Sequence, residues 1–189
     1  MIKKYILAGL VASLPLMAQN SAELNLNSDD IEIAVKYQTG YGFDYDGRSS
    51  QNYLHARYLY SGDSRTQGQN LGEFGYLATG TVGSFTRLRL GVGIMASFAD
   101  SYFAIPLGLS AKYSLPVEWP VTLSASFYAA PNPLVFGDGD GYNGYRLGIE
   151  SQIIPNASIY GGYRNIDLKY ENGRKNFNDG WYVGVRFYF

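Results

Sequence analysis

Eleven ionisable side chains fall on one face of the alternating segments of this 189-residue chain. They are Glu32, Lys36, His55, Arg57, Glu73, Arg87, Arg89, Lys112, Arg146, Glu150 and Arg186. Because cations outnumber acids in the set, one interpretation is the lining of a narrow pore with a weak anion preference. The alternative is a set of internal salt bridges that fill a small barrel, and we favour it because buried charges have to be paired.

His55 is the only histidine in the chain, and histidine is the commonest general base in enzymes. A covalent mechanism would also need a nucleophile beside it and an acid to orient it. The flanking residues Tyr53, Leu54, Ala56 and Arg57 supply no nucleophile. The sequence therefore predicts no catalytic residue, and we do not expect an enzyme.

A Gly- and Asp-rich segment, 137–143, has the sequence G-D-G-D-G-Y-N and is similar to a calcium-binding loop. Counted from Asp138, an EF-hand loop needs Gly at its sixth position and Glu at its twelfth. Those positions hold Asn143 and Ile149. We therefore predict no metal site and no cofactor, and we expect a surface loop here.

The amino terminus has the pattern of an export signal. Lys3 and Lys4 precede an apolar stretch that ends at Met17, and Ala18 is small enough for cleavage. We predict a signal peptide over 1–18 and a single mature domain over 19–189, with Ala22 as the alternative cleavage site. The chain has no Cys, and no later segment has the roughly 18 consecutive apolar residues of a membrane helix.

Alternation of apolar and polar residues recurs along the mature chain and predicts β-strands. The last ten residues show it most clearly, since the odd positions are all large and apolar. Together with this segment, nine others predict ten strands, with eight as the alternative: 22–27, 31–43, 52–60, 70–79, 85–97, 103–113, 121–130, 141–153 and 157–170. The 18 Tyr and 23 Gly also suit an all-β protein.

Two strands contain predicted irregularities. Pro106 cannot donate a ladder hydrogen bond, so we expect a bulge or break there. The alternation is lost around Gly161 and Gly162, which suggests a bulge. Short and long connections largely alternate, with polar loops expected at 61–69, 131–141 and 171–179, as in barrels whose two rims face different compartments.

Alternation alone does not say which face is buried. A soluble β-barrel points its apolar residues inward, whereas a membrane barrel points them outward. The aromatic residues near strand ends, the Gly- and Ser-rich opposite face and the low charged fraction of 16% favour the membrane. The fold prediction is therefore all-β, an antiparallel transmembrane β-barrel.

The chain ends with apolar side chains at alternate positions, Val185, Phe187 and Phe189. This pattern is typical of the C-terminal assembly signal of bacterial barrel proteins. It predicts the barrel-assembly machinery as a partner and the outer membrane of a Gram-negative bacterium as the location.

Four segments resemble the YfaZ family of outer-membrane proteins. They are S-A-E-L-N-L-N-S-D-D at 21–30, F-A-I-P-L-G-L at 103–109, G-Y-R-N-I-D at 162–167 and the terminal W-Y-V-G-V-R-F-Y-F. The resemblance covers nearly the whole mature chain and implies an outer-membrane β-barrel. It implies no catalytic or binding residue.

The predicted function is that of a small outer-membrane barrel, either structural at the cell surface or a narrow pore with weak anion preference. Sugar-sized solutes should not pass, because long charged side chains and tyrosines occupy the lumen. The alternatives are a lipid-modifying outer-membrane enzyme and a soluble periplasmic β-barrel that binds an apolar ligand. Expected partners are outer-membrane lipids and the assembly machinery, with no nucleic acid, and we favour a monomer.

Overall fold

The structure, a computed structural model, describes residues 20–43, 49–62, 68–170 and 173–189. Within these ranges it contains one 3-10 turn, Asn132–Leu134, and twelve strands. The strands are β1 (Ser21–Leu26), β2 (Asp30–Phe43), β3 (Ser49–Ser61), β4 (Gln69–Val82), β5 (Phe85–Ala99), β6 (Tyr102–Ala104), β7 (Leu107–Ser114), β8 (Val121–Ala130), β9 (Val135–Gly137), β10 (Gly139–Ile154), β11 (Ala157–Tyr170) and β12 (Gly173–Tyr188). The predicted signal peptide, 1–18, lies outside the described residues.

The strands form one antiparallel sheet that closes on itself. The β1–β12 and β4–β5 pairings join the strands into a continuous wall. Two crossings of the wall are interrupted, because β6 and β7 both pair with β5, while β9 pairs with β6 and β8 with β7. Counted by crossings, the wall has ten strands. The prediction of an antiparallel barrel of ten strands is therefore confirmed.

The break expected at Pro106 is present between β6 and β7. Proline has no N–H, and here its carbonyl accepts a hydrogen bond from the Met95 N–H at 2.9 Å. The neighbouring crossing is broken at the same level between β8 and β9. Ile105 N–H donates to the Leu134 carbonyl at 2.8 Å and thereby joins the two interrupted crossings.

The bulge predicted at Gly161 and Gly162 is absent. Both glycines keep a regular register with β10 and β12. A Cβ on Gly162 would lie 2.0 Å from the Leu147 carbonyl oxygen, so close packing of the wall accounts for the glycine. The register shift of the β11–β12 pair lies further up, where Phe177 is the extra residue opposite Ile166 and Asp167.

Two of the predicted polar loops are largely strand. β12 begins at Gly173 and pairs with β11 through the segment expected to be a loop at 171–179. β10 begins at Gly139, within the loop expected at 131–141. Polar side chains do not prevent pairing here, since the backbone of each segment joins the ladder of a long hairpin. The third predicted loop, 61–69, lies mostly outside the described residues.

The two rims of the barrel are distinguished by the chain termini. At the rim that we call lower, the backbones of Asn20 and Phe189 exchange hydrogen bonds of 3.2 and 3.1 Å. β2, β4, β7 and β10 end at this rim, and β3, β5, β8 and β11 begin there. β1, β3, β5, β9 and β11 end at the opposite, upper rim, and β2, β4, β6, β10 and β12 begin there.

The outer face of the barrel is apolar around its circumference. Val92 on β5, Leu109 on β7, Leu147 on β10 and Val183 on β12 are each at least half exposed. Trp181, at 75% exposure, packs edge-on against Tyr163. In the described ranges no helix is long and apolar enough to cross a bilayer.

The interior of the upper half is packed with apolar side chains, which we call the upper plug. Its members are Leu59, Leu71, Met95, Tyr102, Ala104, Ala130, Val135, Tyr142, Ile166, Leu168 and Phe177. Tyr102 donates a 2.8 Å hydrogen bond to the Gly141 carbonyl, across the gap where β9 and β10 do not pair. Apolar burial is therefore concentrated at one end of the barrel.

Candidate site in the charged interior

A cavity of about 370 Å³ lies beneath the upper plug. At its upper end the lining residues Met95, Tyr142 and Ile166 belong to the plug. At its lower end the lining includes Gln51 and Tyr188, close to the lower rim. The cavity is therefore a blind pocket that reaches toward the rim carrying the termini.

The deepest charged group of the cavity is Glu32 on β2, which is completely buried. The Arg146 guanidinium donates to both carboxylate oxygens of Glu32, with Nη1–Oε1 at 2.9 Å and Nη2–Oε2 at 2.5 Å. Arg164 donates to the same carboxylate, and Arg57 Nη1 lies 3.9 Å from its Oε2. The Asn25 amide adds a 2.7 Å hydrogen bond. Glu32 thus joins strands from several sides of the barrel.

Glu73 on β4 is the second buried carboxylate of this region. Arg57 forms an ion pair with it, and the Tyr142 hydroxyl donates to it from β10 at 2.8 Å. A third acid, Asp30, pairs with Arg164 at 3.5 Å and accepts a hydrogen bond from Asn178. We call the six ionised groups of this region the upper network: Asp30, Glu32, Arg57, Glu73, Arg146 and Arg164. It contains three cations and three acids, so its charges balance.

A second group of charges, the lower cluster, lies closer to the lower rim. It consists of Glu23, Lys36, Arg89, Lys112, Glu150 and Arg186, all of which line the cavity. Glu23 accepts from Lys36 at 2.9 Å and lies 3.0 Å from Arg186 Nε. Glu150 forms an ion pair with Arg186 and accepts hydrogen bonds from the Ser158 and Tyr188 hydroxyls at 2.6 and 2.5 Å. Among the described residues, four cations and two carboxylates line this part of the cavity.

Arg89 and Lys112 occupy directly opposed positions on β5 and β7. Arg89 donates a 2.6 Å hydrogen bond to the Gln51 side-chain oxygen. Lys112 is exposed within the cavity, and among the described residues it makes no ion pair and no side-chain hydrogen bond. The two cations thus lie side by side on the inner face, with no acid paired to Lys112.

Glycines on the inner wall accommodate tyrosine rings. A Cβ on Gly108 would lie 2.2 Å from the Tyr128 ring, and one on Gly93 would lie 2.6 Å from its hydroxyl. Tyr182 has the same relationship to Gly162 on the other side of the barrel. At these positions the tyrosine rings of neighbouring strands fill the space that the glycines leave.

Nine of the eleven ionisable residues singled out in the sequence line the cavity: Glu32, Lys36, His55, Arg57, Arg89, Lys112, Arg146, Glu150 and Arg186. Glu73 is buried in the upper network without lining the cavity. Arg87 is not part of the site, since it is exposed near the β4–β5 turn at the lower rim. The alternation of residues in β5 predicts that Arg87 lies on the inner face, but at this residue β5 has only just left the lower rim.

Sequence reasoning missed three members of the site, Glu23, Asp30 and Arg164. Arg164 lies beyond Gly161 and Gly162, where the alternation was uninformative. Glu23 and Asp30 lie in and beside the shortest wall-spanning strand. The sequence does contain a signal for Glu23. Ala22, Leu24 and Leu26 are apolar and alternate with Glu23 and Asn25, which indicates that Glu23 lies on the inner face.

His55 packs against Gly75, where a Cβ would lie 2.6 Å from the imidazole Cε1. Its Nδ1 is buried and has no hydrogen-bond partner in the described part of the chain. The arrangement therefore lacks an acid that orients the ring.

Asp140, in the segment similar to a calcium loop, accepts a 2.5 Å hydrogen bond from Asn132. The described ranges contain no group of three or more His, Cys, Asp or Glu arranged to hold a metal ion.

Two solved barrels are similar to this chain in structure. A KdgM porin has 9% sequence identity and a TM-score of 0.43, with 90% of this chain and 98% of that chain covered. LpxR from Salmonella typhimurium has 8% identity and a TM-score of 0.40, with 90% and 99% covered. No curated protein sequence matches. The profile of the YfaZ precursor family matches residues 2–189, nearly the whole sequence, and the chain therefore belongs to the YfaZ family.

Proposed function

We propose that this chain is a small, non-enzymatic outer-membrane barrel that is closed to solutes and has a structural role in the membrane. The apolar outer face and membership of a family of precursors support the location. In this proposal the lower rim, with both termini, faces the periplasm, and lipids contact the outer face. The protein then has a structural role in the membrane and does not act as an open porin.

The observation that carries the proposal is the inaccessibility of the upper plug. Leu59, Leu71, Leu168 and Phe177 come from four different strands, and each has 0% exposure. A water-filled channel would leave the side chains along its wall accessible to water. Below the plug, Arg146 and Arg164 cross the bore to reach Glu32, and Arg57 pairs with Glu73 on the neighbouring strand. Ions therefore meet a packed apolar layer followed by a layer of paired charges.

Planar-bilayer recording of the refolded protein tests the closed state. The native protein should give no stable conductance steps, whereas Leu59→Ala/Leu71→Ala/Phe177→Ala should produce current by removing part of the plug. The matched control is Phe74→Ala/Val92→Ala/Leu109→Ala, which removes a similar volume from the outer face and should remain silent. A large, stable conductance of the native protein would refute the proposal and restore the narrow-pore alternative.

The absence of enzymatic activity is a separate part of the proposal. His55 has no orienting acid at Nδ1 in the described part of the chain, which supports it. Mass spectrometry of lipid A and phospholipids after overexpression provides the test. The spectra should match those from cells that overexpress His55→Ala. A new lipid species that appears only with the native protein would identify a lipid-modifying enzyme instead.

A further inference from the structure

The upper part of the wall contains a strand edge that is not paired. β6 and β9 are three residues each, and in the described part of the chain β9 pairs with β6 and with no strand on its other side. β10 lies beside that edge, because the chain turns from β9 into β10 at Asp138. We call β6 and β9 together the flap, and the boundary between β9 and β10 the seam. The ladder of the wall thus reaches the flap from the β5 side.

The flap is bounded at both ends by residues that interrupt a strand. Below it, Pro106 separates β6 from β7, and the segment 131–134 separates β8 from β9. Above it, Ser101 and Gly137 have left-handed backbone conformations, with φ of 52° and 76°. Short strands with few ladder hydrogen bonds open locally at a lower free energy than a continuous sheet. The flap is therefore a unit that can move without unfolding of the barrel.

Two side-chain hydrogen bonds cross the seam. The Tyr102 hydroxyl donates to the Gly141 carbonyl at 2.8 Å, and the Asn132 amide donates to Asp140 at 2.5 Å. The Tyr102 ring also fills the space beside Gly139, where an added Cβ would lie 2.6 Å from it. Tyr102 is buried, whereas the Asn132–Asp140 bond is exposed to water. The Tyr102 bond is therefore the better protected of the two.

The flap covers the blind end of the cavity. Met95 and Tyr142 belong both to the upper plug and to the cavity lining. The Met95 N–H donates to the Pro106 carbonyl just below β6, and Tyr142 is in register with Ala130, the last residue of β8. The inner residues of the flap are themselves plug residues. Outward movement of the flap therefore removes part of the plug directly above the cavity.

On the outer face, three phenylalanine rings connect the flap to β5. The Phe103 ring centroid lies 5.0 Å from that of Phe98 on β5 and 5.6 Å from that of Phe136 on β9. The row of rings follows the backbone register of β5, β6 and β9 and stops at the seam. The flap is thus joined to β5 by its backbone and by its outer side chains, so the seam is the side at which it separates from the wall.

We propose that the flap is a lid on the upper plug, that it opens at the seam, and that Tyr102 is its latch. Unpaired backbone groups are not stable in the hydrocarbon layer, so the seam lies at a level that water reaches. Gly137, Asp138 and Asp140 beside it are exposed. Water and small reagents enter the plug from the upper rim while the lid is open. The inference rests on the closed barrel proposed above, to which it adds a minor open state.

Thiol labelling of protein refolded in lipid vesicles tests the lid, and the chain has no Cys of its own. Ala104→Cys places a thiol on the inner face of the flap, and Ser97→Cys places one directly beside it on β5; both positions have 0% exposure. Ser97 is held against Glu73 on β4, so opening at the seam leaves it covered. Ala104→Cys should react with a water-soluble maleimide at least about tenfold faster than Ser97→Cys. Equal rates would mean that the plug opens only on global unfolding and would overturn the proposal.

The latch is tested in the Ala104→Cys background. Tyr102→Phe removes the hydroxyl that bonds to Gly141 and should raise the labelling rate about three- to tenfold, the value of one hydrogen bond. The matched control is Tyr170→Phe. Its ring lies 5.4 Å from that of Tyr102, but its hydroxyl makes no hydrogen bond in the described ranges, so the rate should not change. Equal rates for the two variants would show that Tyr102 is not the latch.

A cross-link across the seam supplies the converse test without a thiol in the plug. Asn132→Cys/Asp140→Cys places two exposed thiols where the native side chains are bonded to each other, and a short dithiol reagent should join them. Hydrogen exchange of residues 100–106 and 131–138, followed by mass spectrometry, should slow at least about tenfold on cross-linking. The same double variant without the reagent is the control.

Unchanged exchange after cross-linking would overturn the lid. None of these experiments measures conductance, so their failure leaves the closed-barrel proposal intact. Stable conductance of the native protein would refute the closed barrel itself, and the two failures are therefore distinguishable.

Discussion

Glu32 and Arg146 form a two-point ion pair across the barrel, although 114 residues separate them in the sequence. Their strands, β2 and β10, are separated by β1, β12 and β11 in the wall. The pair therefore spans the bore at this height. Arg164 and Arg57 approach the same carboxylate, and each of them also pairs with a second acid, Asp30 and Glu73 respectively.

Loss of the Glu32 charge should destabilise the barrel strongly. Glu32→Gln leaves three arginines facing a neutral amide, and removal of one partner from a buried pair typically costs about 3–5 kcal/mol. Urea unfolding in lipid vesicles measures the change. Glu118→Gln, in an exposed lower-rim connection, should change the free energy of unfolding by no more than about 0.5 kcal/mol. Equal stabilities of the two variants would mean that the upper network contributes little.

Substitution on the outer face should be penalised according to its depth in the membrane. Val92 lies at the centre of β5 and is 60% exposed on the apolar face. Val92→Arg should cost about 2–4 kcal/mol in vesicles, as arginine does at the midplane of membrane barrels. Val117 is similarly exposed but lies in the β7–β8 connection, so Val117→Arg should cost at most about 1 kcal/mol. A silent Val92→Arg would place this face outside the bilayer.

Much of the wall could be predicted from sequence because a closed barrel imposes a period of two on every strand. Leu88, Leu90, Val92 and Ile94 alternate with Arg89, Gly91 and Gly93, and this is enough to assign β5 and its two faces. The break at Pro106 also followed from local chemistry, since proline removes a ladder donor. The alternation in β5 and the break at Pro106 both depend only on residues that are close together in the sequence.

The interior arrangement could not be predicted in the same way, because it depends on which strands face each other across the bore. Phe177 enters the plug only because of the register shift opposite Ile166 and Asp167. Gly108 resembles open lumen in the sequence, but Tyr128 from the adjacent strand covers it. Partner assignments such as Arg146 with Glu32 require the full strand order, which alternation does not provide.

The glycine–tyrosine contact at Gly108 should be sensitive to a single methyl group. Gly108→Ala would place a Cβ 2.2 Å from the Tyr128 ring, and overpacking of this kind costs about 1–3 kcal/mol. In a Tyr128→Leu background the same change should cost clearly less. Gly72→Ala is the matched control, since no atom lies within 4 Å of its added Cβ. Urea unfolding of the four variants checks the prediction, and an unchanged cost in the Tyr128→Leu background would contradict the contact.

Signal-peptide cleavage after Ala18 is expected in preference to cleavage after Ala22. The backbone of Asn20 pairs with Phe189, and Ser21 and Ala22 pair with both β2 and β12. Cleavage after Ala22 would remove these residues and shorten β1 to four residues. Mass spectrometry of the mature protein should therefore find Gln19 at the amino terminus. A mature chain that begins at Glu23 would show that barrel closure does not need them.

The terminal aromatic residue should matter for assembly more than for stability. Val185, Phe187 and Phe189 form the predicted C-terminal assembly signal, and Phe187 lies on the outer face at 50% exposure. Deletion of Phe189 should lower the amount of protein in the outer membrane and leave unassembled chain in the periplasm, because the assembly machinery would no longer recognise the strand. Fractionation followed by immunoblotting measures both pools.

The matched control for this deletion is Phe85→Ser, which removes another exposed aromatic residue from the lower rim, at the start of β5. It alters apolar contact with the membrane to a similar extent but leaves the C-terminal pattern unchanged, so its outer-membrane level should stay near that of the native protein. Refolding into detergent, where the assembly machinery is absent, distinguishes a defect in assembly from a loss of stability. The chain without Phe189 should refold in detergent about as well as Phe85→Ser, because only the backbone pairing with Asn20 is lost. Equal outer-membrane levels of the two variants in cells would show that Phe189 is not part of an assembly signal.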